Sequence, residues 1–157
     1  MRKVILGLNP FMPDSLVLLE SQVFSVVGHF RQRRIGSDEA GGILLGHRRG
    51  AHLHVVDATC PAAGDRGSRT SFHRTSKPHH ASALSRWRSS GKKLDYIGEW
   101  HTHPERSPAP SLIDLQAWAE ICRNRAVPMI FLILGTDATD WVGIGTLRGV
   151  QPVHLLN

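Results

Sequence analysis

The sequence predicts an α+β fold: a curved mixed β-sheet flanked by helices. Short apolar runs of strand length occur at residues 41–46, 52–58, 94–97, 129–134 and 141–147, and stretches with helical spacing lie between them. Neighbouring runs are joined closely enough for hairpins, at Arg48-Arg49-Gly50-Ala51 and around Gly135-Thr136-Asp137. The 157 residues suffice for one hydrophobic core, so a single domain over 1–157 is expected.

Residues 3–8 read as a first strand or extended arm and 9–13 as a turn. A helix is expected from about Asp14, because Leu16, Leu19, Val23, Val26, Val27 and Phe30 recur at amphipathic spacings. It should end in Arg31-Gln32-Arg33-Arg34, where cations favour the negative end of the helix dipole. Residues 41–46 and 52–58 then form a hairpin. Residues 60–76, rich in Gly, Ser, Thr and Arg without periodicity, read as an ordered loop or flap near the site. A second helix covers about 78–90, with Gly91 ending it. After the strand at 94–97, the Pro-rich stretch 104–110 turns the chain back. Ser111-x-x-Asp114 opens a third helix, whose stripe Leu115, Trp118, Ala119 and Cys122 belongs to the core.

A hydrophobic share of 41% and a charged share of 20% are those of a soluble globular protein. No apolar run approaches the ~20 residues of a membrane span. The apolar stretch within residues 1–10 is too short for a signal peptide, so a cytoplasmic location is expected. Cys60 and Cys122 are the only cysteines, which excludes a disulfide framework and a Cys-x-x-Cys metal site. The net charge of +6 gathers in three clusters, Arg31/Arg33/Arg34, Arg48/Arg49 and Arg66/Arg69/Arg74/Lys77. Such charge suits an acidic partner or nucleic acid, but no nucleic-acid fold motif accompanies it, and solvated faces explain it equally well.

The run from Glu99 to Asp114 holds the chemistry. Strand side chains alternate faces, so His101 and His103 present two imidazoles to one cation, and Asp114, in the first turn of the next helix, can close the triangle. Two other histidine pairs lack this context. His52-Leu53-His54 has only Asp57 nearby and reads as an exposed strand face. His79 and His80 point about 100 degrees apart on a helix, a poor chelate. Ser111 and Asp114 also approximate a capping box, so Ser111 can either cap the helix or donate to an oxyanion. A general base has three candidates: Glu39 before the Gly41-Gly42 strand, its neighbour Asp38, and Glu99 on the His101 face. Geometry alone does not choose among them. Trp100, on the opposite face, is assigned to the core.

A glutamate before a Gly-rich strand, then His101-Thr102-His103-Pro104, then Ser111-x-x-Asp114 with ten residues between His103 and Asp114, resembles the JAMM signature of the JAB/MPN metalloprotease family. The resemblance covers about residues 36–148. It implies His101, His103 and Asp114 as ligands of one Zn²⁺ per chain, with a water in the fourth position. It also implies Glu39 as the group that handles that water's proton and Ser111 as the hydroxyl that supports the oxyanion. Zinc lowers the pKa of bound water from about 15.7 to roughly 7, which makes a nucleophile at neutral pH.

Residues Ser68-Arg69-Thr70-Ser71-Phe72 and the run from Tyr96 to Glu105 are similar to the bacterial JAB proteins encoded beside CD-NTases in CBASS antiphage operons. That likeness implies a deconjugase that removes a ubiquitin-like tail, or the C-terminal tail of a cGAS-like nucleotidyltransferase, from a target amine. Two other readings compete: a catalytically inactive JAB-fold scaffold that binds zinc and protein partners, and a basic nucleic-acid-binding module.

Overall fold

The computed structural model describes residues 3–61, 66–67, 72–73 and 76–156. In chain order the elements are strands β1 (Ile5–Asn9) and β2 (Met12–Leu19), helix α1 (Ser21–Val27) with a 3₁₀ turn (Gly28–Phe30), and strands β3 (Gly41–Arg49), β4 (His52–Ala58), β5 (Arg66–Gly67) and β6 (Phe72–His73). Helix α2 (Ser76–Ser89), β7 (Asp95–Thr102), α3 (Leu112–Arg125), β8 (Met129–Leu134), β9 (Asp140–Thr146), β10 (Gly149–Pro152) and β11 (His154–Leu155) complete the chain. Nine strands form a mixed sheet in the order β10-β9-β8-β7-β3-β4-β2-β1-β11. The expected α+β architecture is therefore present. So is the β3–β4 hairpin, with Arg49 opposite His52.

The centre of the sheet is buried on both faces. Every residue of β8 is buried, and its side chains divide by alternation. Ile130, Leu132 and Leu134 join Trp100, Ile97 and the α1 residues Val23, Phe24 and Val27 on one face. Met129, Phe131 and Ile133 pack with Trp118 and Cys122 of α3 on the other. The stripe read from α3 is thus a core stripe, and Trp100 lies on the face away from it, as the alternation predicts.

The helix expected from Asp14 is instead a strand as far as Leu19. Ser15, Val17 and Leu19 are buried while Asp14 and Leu16 are exposed, a period of two. The segment pairs in parallel with β4, Val17 opposite Leu53 and Leu19 opposite Val55. Only after Glu20, still extended at φ −70 and ψ 155, does the chain turn into α1. The apolar spacings that suggested one helix run across a strand and a helix that share one core. Nor do the arginines end this helix. It stops at Val27, and Arg31 reaches across to Asp140 with two guanidinium hydrogen bonds of 2.6 and 2.9 Å.

Helix α2 matches its expected span, and Gly91 follows it at φ +70. Most of the 60–76 segment lies outside the residues described, and no side chain of the cluster Arg66, Arg69, Arg74 and Lys77 is described. Two short strands, β5 and β6, pair within it.

Candidate metal centre

Strand β7 lies between β3, to which it is antiparallel, and β8, to which it is parallel. Its pairing with β3 sets Gly41 opposite His101 and Gly42 opposite Trp100. Gly42 has no room for a side chain: a Cβ there would lie 2.5 Å from the Thr59 carbonyl oxygen and 2.8 Å from Trp100 Nε1. Thr102 extends the register by hydrogen-bonding its backbone N–H to the Ala40 carbonyl at 2.9 Å. Glu39 precedes Ala40 and His103 follows Thr102, so this pairing brings the two residues to the same end of the β3–β7 ladder. The spacing of Glu39, His101 and His103 thus follows from antiparallel pairing.

Beyond His103 the backbone leaves the strand while its N–H still bonds the Leu134 carbonyl at 3.0 Å. Ser111 then starts α3 in extended conformation, with a complete capping box. The Ser111 N–H donates to Asp114 Oδ2 at 2.8 Å, and the Asp114 N–H donates to Ser111 Oγ at 3.1 Å. Both proposed uses of the Ser-x-x-Asp element are therefore geometrically open. The cap employs Ser111 Oγ as an acceptor, which leaves its O–H able to donate. Asp114 still turns its carboxylate toward the histidines.

Asp114 Oδ1 lies 3.3 Å from His101 Nε2, and its Oδ2 lies 3.1 Å from His103 Nε2. The two Nε2 atoms are 3.0 Å apart. One ligand atom from each of the three residues falls within 4.8 Å of the others, the only such group of three among the described residues. Two imidazole nitrogens and a carboxylate oxygen converging this closely suit a divalent cation of borderline softness. Trp118 braces the site from below, 5.8 Å from the His101 ring and stacked on Phe131 and Trp141.

The electrostatics follow the geometry. Burial works against ionisation of Asp114, but hydrogen bonds from His101 and His103 and from the Ser111 N–H hold it well below the usual carboxylate range. Burial likewise opposes charge on His103, and the Asp114 carboxylate outweighs it, so the imidazole is raised. Glu39 is only 8% exposed. Burial pushes its carboxyl up to about 7; His103 opposes that rise, and Asp114 and Glu105 add to it. A buried carboxyl beside a candidate cation site is placed to accept and return a proton.

The rival acids are placed elsewhere. Asp38 is exposed. Glu99 shares the His101 face, as alternation expects, but accepts a hydrogen bond from Tyr96 Oη at 3.1 Å and lines a cavity of about 330 Å³ between α2 and α3. The two other histidine pairs also stay out of the centre. His54 Nε2 meets Glu20 at 2.7 Å, and buried His79 meets the Thr59 hydroxyl at 2.7 Å.

Two features escaped the sequence reading. Glu105 sits 3.6 Å from His103 Nδ1, a buried nitrogen with no hydrogen-bond partner among the described residues. Its position directly after His-Pro was the only available signal. Gly67 of β5 lies against the base: a Cβ there would come within 2.2 Å of the Glu39 carbonyl oxygen. That contact sets part of the 60–76 segment beside the site, as the flap reading expects.

Fold and centre together define a hydrolytic enzyme of the metalloprotease type. More particularly, the chain belongs to the Prok-JAB family, prokaryotic homologs of the JAB domain, whose model matches residues 22–144. It is 36% identical over 130 residues to a CD-NTase/cGAS isopeptidase of Escherichia coli, an alignment spanning 83% of this chain and 82% of that protein. A Pseudomonas aeruginosa protein of the same name is 40% identical over 119 residues, 73% of this chain and 75% of that one. A probable metalloprotease of Sinorhizobium fredii, y4qB, is 28% identical over 109 residues, covering 66% of each chain. In fold, the chain resembles the solution structure of protein DSY2949 from Desulfitobacterium hafniense, with a TM-score of 0.60 at 21% identity over 85% of this chain and 87% of that one. No helix among the described residues is long and apolar enough to cross a membrane.

Proposed function

We propose that this chain is a zinc-dependent isopeptidase of the bacterial cytoplasm that releases a C-terminal tail from a target amine. The tail belongs to a cGAS-like nucleotidyltransferase or a ubiquitin-like protein, and the setting is antiphage defence. The convergence of His101, His103 and Asp114 beside the buried Glu39 carboxyl carries this reading. The names of the relatives at 36% and 40% identity support the substrate class.

In this proposal His101 Nε2, His103 Nε2 and an Asp114 oxygen hold one Zn²⁺. When bound, zinc supplies a Lewis acid that polarises the scissile carbonyl and acidifies a water. Glu39 accepts a proton from the attacking water as its oxygen bonds to the carbonyl carbon. The Ser111 O–H donates to the oxygen that becomes negative. As the carbon–nitrogen bond breaks, Glu39 returns its proton to the departing amine, and the acid and amine formed exchange the remaining proton to leave a carboxylate and an ammonium group. The Trp118, Phe131 and Trp141 stack keeps the His101 ring aligned through both steps.

Cleavage of a fusion bearing the nucleotidyltransferase C-terminal tail tests the proposal. The native protein should cut it, and Glu39→Ala or chelation should stop the reaction. If zinc-loaded native protein leaves that fusion and a panel of ubiquitin-like fusions uncut, the isopeptidase reading fails and a scaffold role replaces it.

A further inference from the structure

Glu39 is delivered to the centre by a stretch with little packing of its own. Residues 33–36 are exposed, and Gly36 adopts φ +88. What ties that stretch to the histidine strand is buried and polar. The Thr102 hydroxyl, between the two histidines and fully buried, donates to Gln32 Oε1 at 2.9 Å and accepts from the Ala40 N–H at 3.0 Å. The Gln32 Nε2 in turn donates to the Ser37 carbonyl at 2.8 Å. Gln32 thus grips the segment two residues before Glu39, and Thr102 grips it one residue after. Gln32 is itself anchored, being 4% exposed and next to Arg31, whose guanidinium bonds buried Asp140 and, at 3.1 Å, the Gly135 carbonyl.

We infer that Gln32 is a positioning residue, which acts through Ser37 and Thr102 to set the reach of Glu39 relative to His101 and His103. This inference rests on the proposed function for its catalytic consequence, though not for its structural one. The bonds of Gln32 to Ser37 and Thr102 fix the backbone on both sides of Glu39. Acid–base groups need placement to a few tenths of an ångström, and a shift near 1 Å costs on the order of 10²-fold in rate. Buried amide-to-backbone bonds are a means of holding that tolerance in an otherwise exposed segment.

The test uses the full chain with two variants of different character. Gln32→Met keeps side-chain length and removes the hydrogen bonds to Ser37 and Thr102. Gln32→Glu keeps an acceptor for Thr102 and loses the donor to Ser37. In the zinc-loaded enzyme, Gln32→Met should lower kcat about 10- to 100-fold, with KM within about twofold and one zinc retained per chain. The absorption of the cobalt-loaded form should not move, because the ligands stay in place. Gln32→Glu should fall between that variant and the native enzyme, and Thr102→Ser, which retains the hydroxyl, should remain near native.

Hydrogen exchange on the metal-free protein supplies a readout that does not depend on turnover. The Ala40 amide and its neighbours in 37–41 should exchange several-fold faster in Gln32→Met, with Trp100 unchanged. Unchanged exchange overturns the inference whether or not the native protein cleaves anything. Unaltered kcat in a cleaving enzyme also overturns it, as does a loss of activity that follows loss of zinc. Faster exchange beside a native protein that cuts nothing would sink the isopeptidase reading and leave the positioning of Glu39 standing.

Discussion

Ser111 and Asp114 hold one another by two reciprocal hydrogen bonds, and the Asp114 oxygen that accepts the Ser111 N–H at 2.8 Å also lies 3.1 Å from His103 Nε2. Helix start and candidate metal centre therefore share an atom. The capping box fixes the carboxylate before any cation arrives, an example of a ligand oriented by the surrounding backbone. It also means that folding and chemistry are entangled at Ser111, so mutations there must be chosen to separate them.

Glycine and alanine separate the two roles. At an N-cap, alanine costs about 1 kcal/mol and glycine only a few tenths. Both remove the O–H proposed to meet the oxyanion. Ser111→Gly and Ser111→Ala should then lose kcat alike, on the order of 10²-fold, while differing in thermal stability. Unfolding curves and steady-state rates on the pair provide the check. Rates that track stability instead would leave Ser111 as a cap alone.

Asp114 balances two imidazoles, so Asp114→Asn should keep an acceptor for the Ser111 N–H, preserve the start of α3, and weaken the cation site. The expected outcome is native-like helix content with zinc per chain, measured by elemental analysis, falling from about one toward zero. The zinc-dependent rise in melting temperature should disappear with it, because a ligand that binds only the folded state stabilises by about 2.7 kcal/mol at 100 times its Kd. An Asp114→Asn protein that still takes up zinc and is stabilised by it would remove Asp114 from the ligand set.

In metal-free protein, the sign of the Glu39 effect is fixed by its raised carboxyl. The group titrates at about 7 when folded against an ordinary 4.5, so the folded state holds its proton more tightly. Below pH 4.5 both states are protonated and nothing is lost. Between 4.5 and 7 stability declines as pH rises, and above 7 the full cost of a buried carboxylate, about 3 kcal/mol, is present. Glu39→Gln should accordingly be more stable than native metal-free protein at about pH 8 and equal to it at about pH 4, by denaturant titration. Zinc should narrow the gap at the higher pH, since a neighbouring cation favours the carboxylate.

The convergence of these candidate residues was legible in the sequence because they sit on local devices: alternation for His101 and His103, and a capping box for Ser111 and Asp114. Glu39 is different. Its match with His103 is a matter of register between segments about 60 residues apart, and Asp38 and Glu99 remained open until pairing placed one at the surface and the other at the α2–α3 cavity. The misread helix from Asp14 has the same origin. Leu16 and Leu19 look helical beside Val23 and Val26, and it is pairing on both edges, antiparallel with β1 and parallel with Leu53 and Val55 more than 30 residues on, that makes that stretch a strand. Gln32 gave no sign, because a buried polar side chain is identified by its partners rather than by its neighbours in sequence.

Glu105 offers the last test. A histidine that ligates a metal through one nitrogen commonly donates from the other to a carboxylate, which fixes the ring and raises its basicity. His103 points Nε2 at the centre, and its buried Nδ1 lies 3.6 Å from Glu105 Oε1, too far for a hydrogen bond. A cation on Nε2 would require Nδ1 to carry the proton, which gives the Glu105 carboxylate something to accept. The exposure of Glu105, 53%, leaves its side chain free to swing in at little steric cost. Glu105→Ala should weaken zinc binding about tenfold, the lower end of the 10- to 100-fold range for such partners, with little change in the stability of metal-free protein. Competition against a chromophoric chelator measures the first and thermal unfolding the second. Zinc affinity unchanged in Glu105→Ala would mean that His103 is oriented by its burial and by the Leu134 backbone bond without help from the carboxylate.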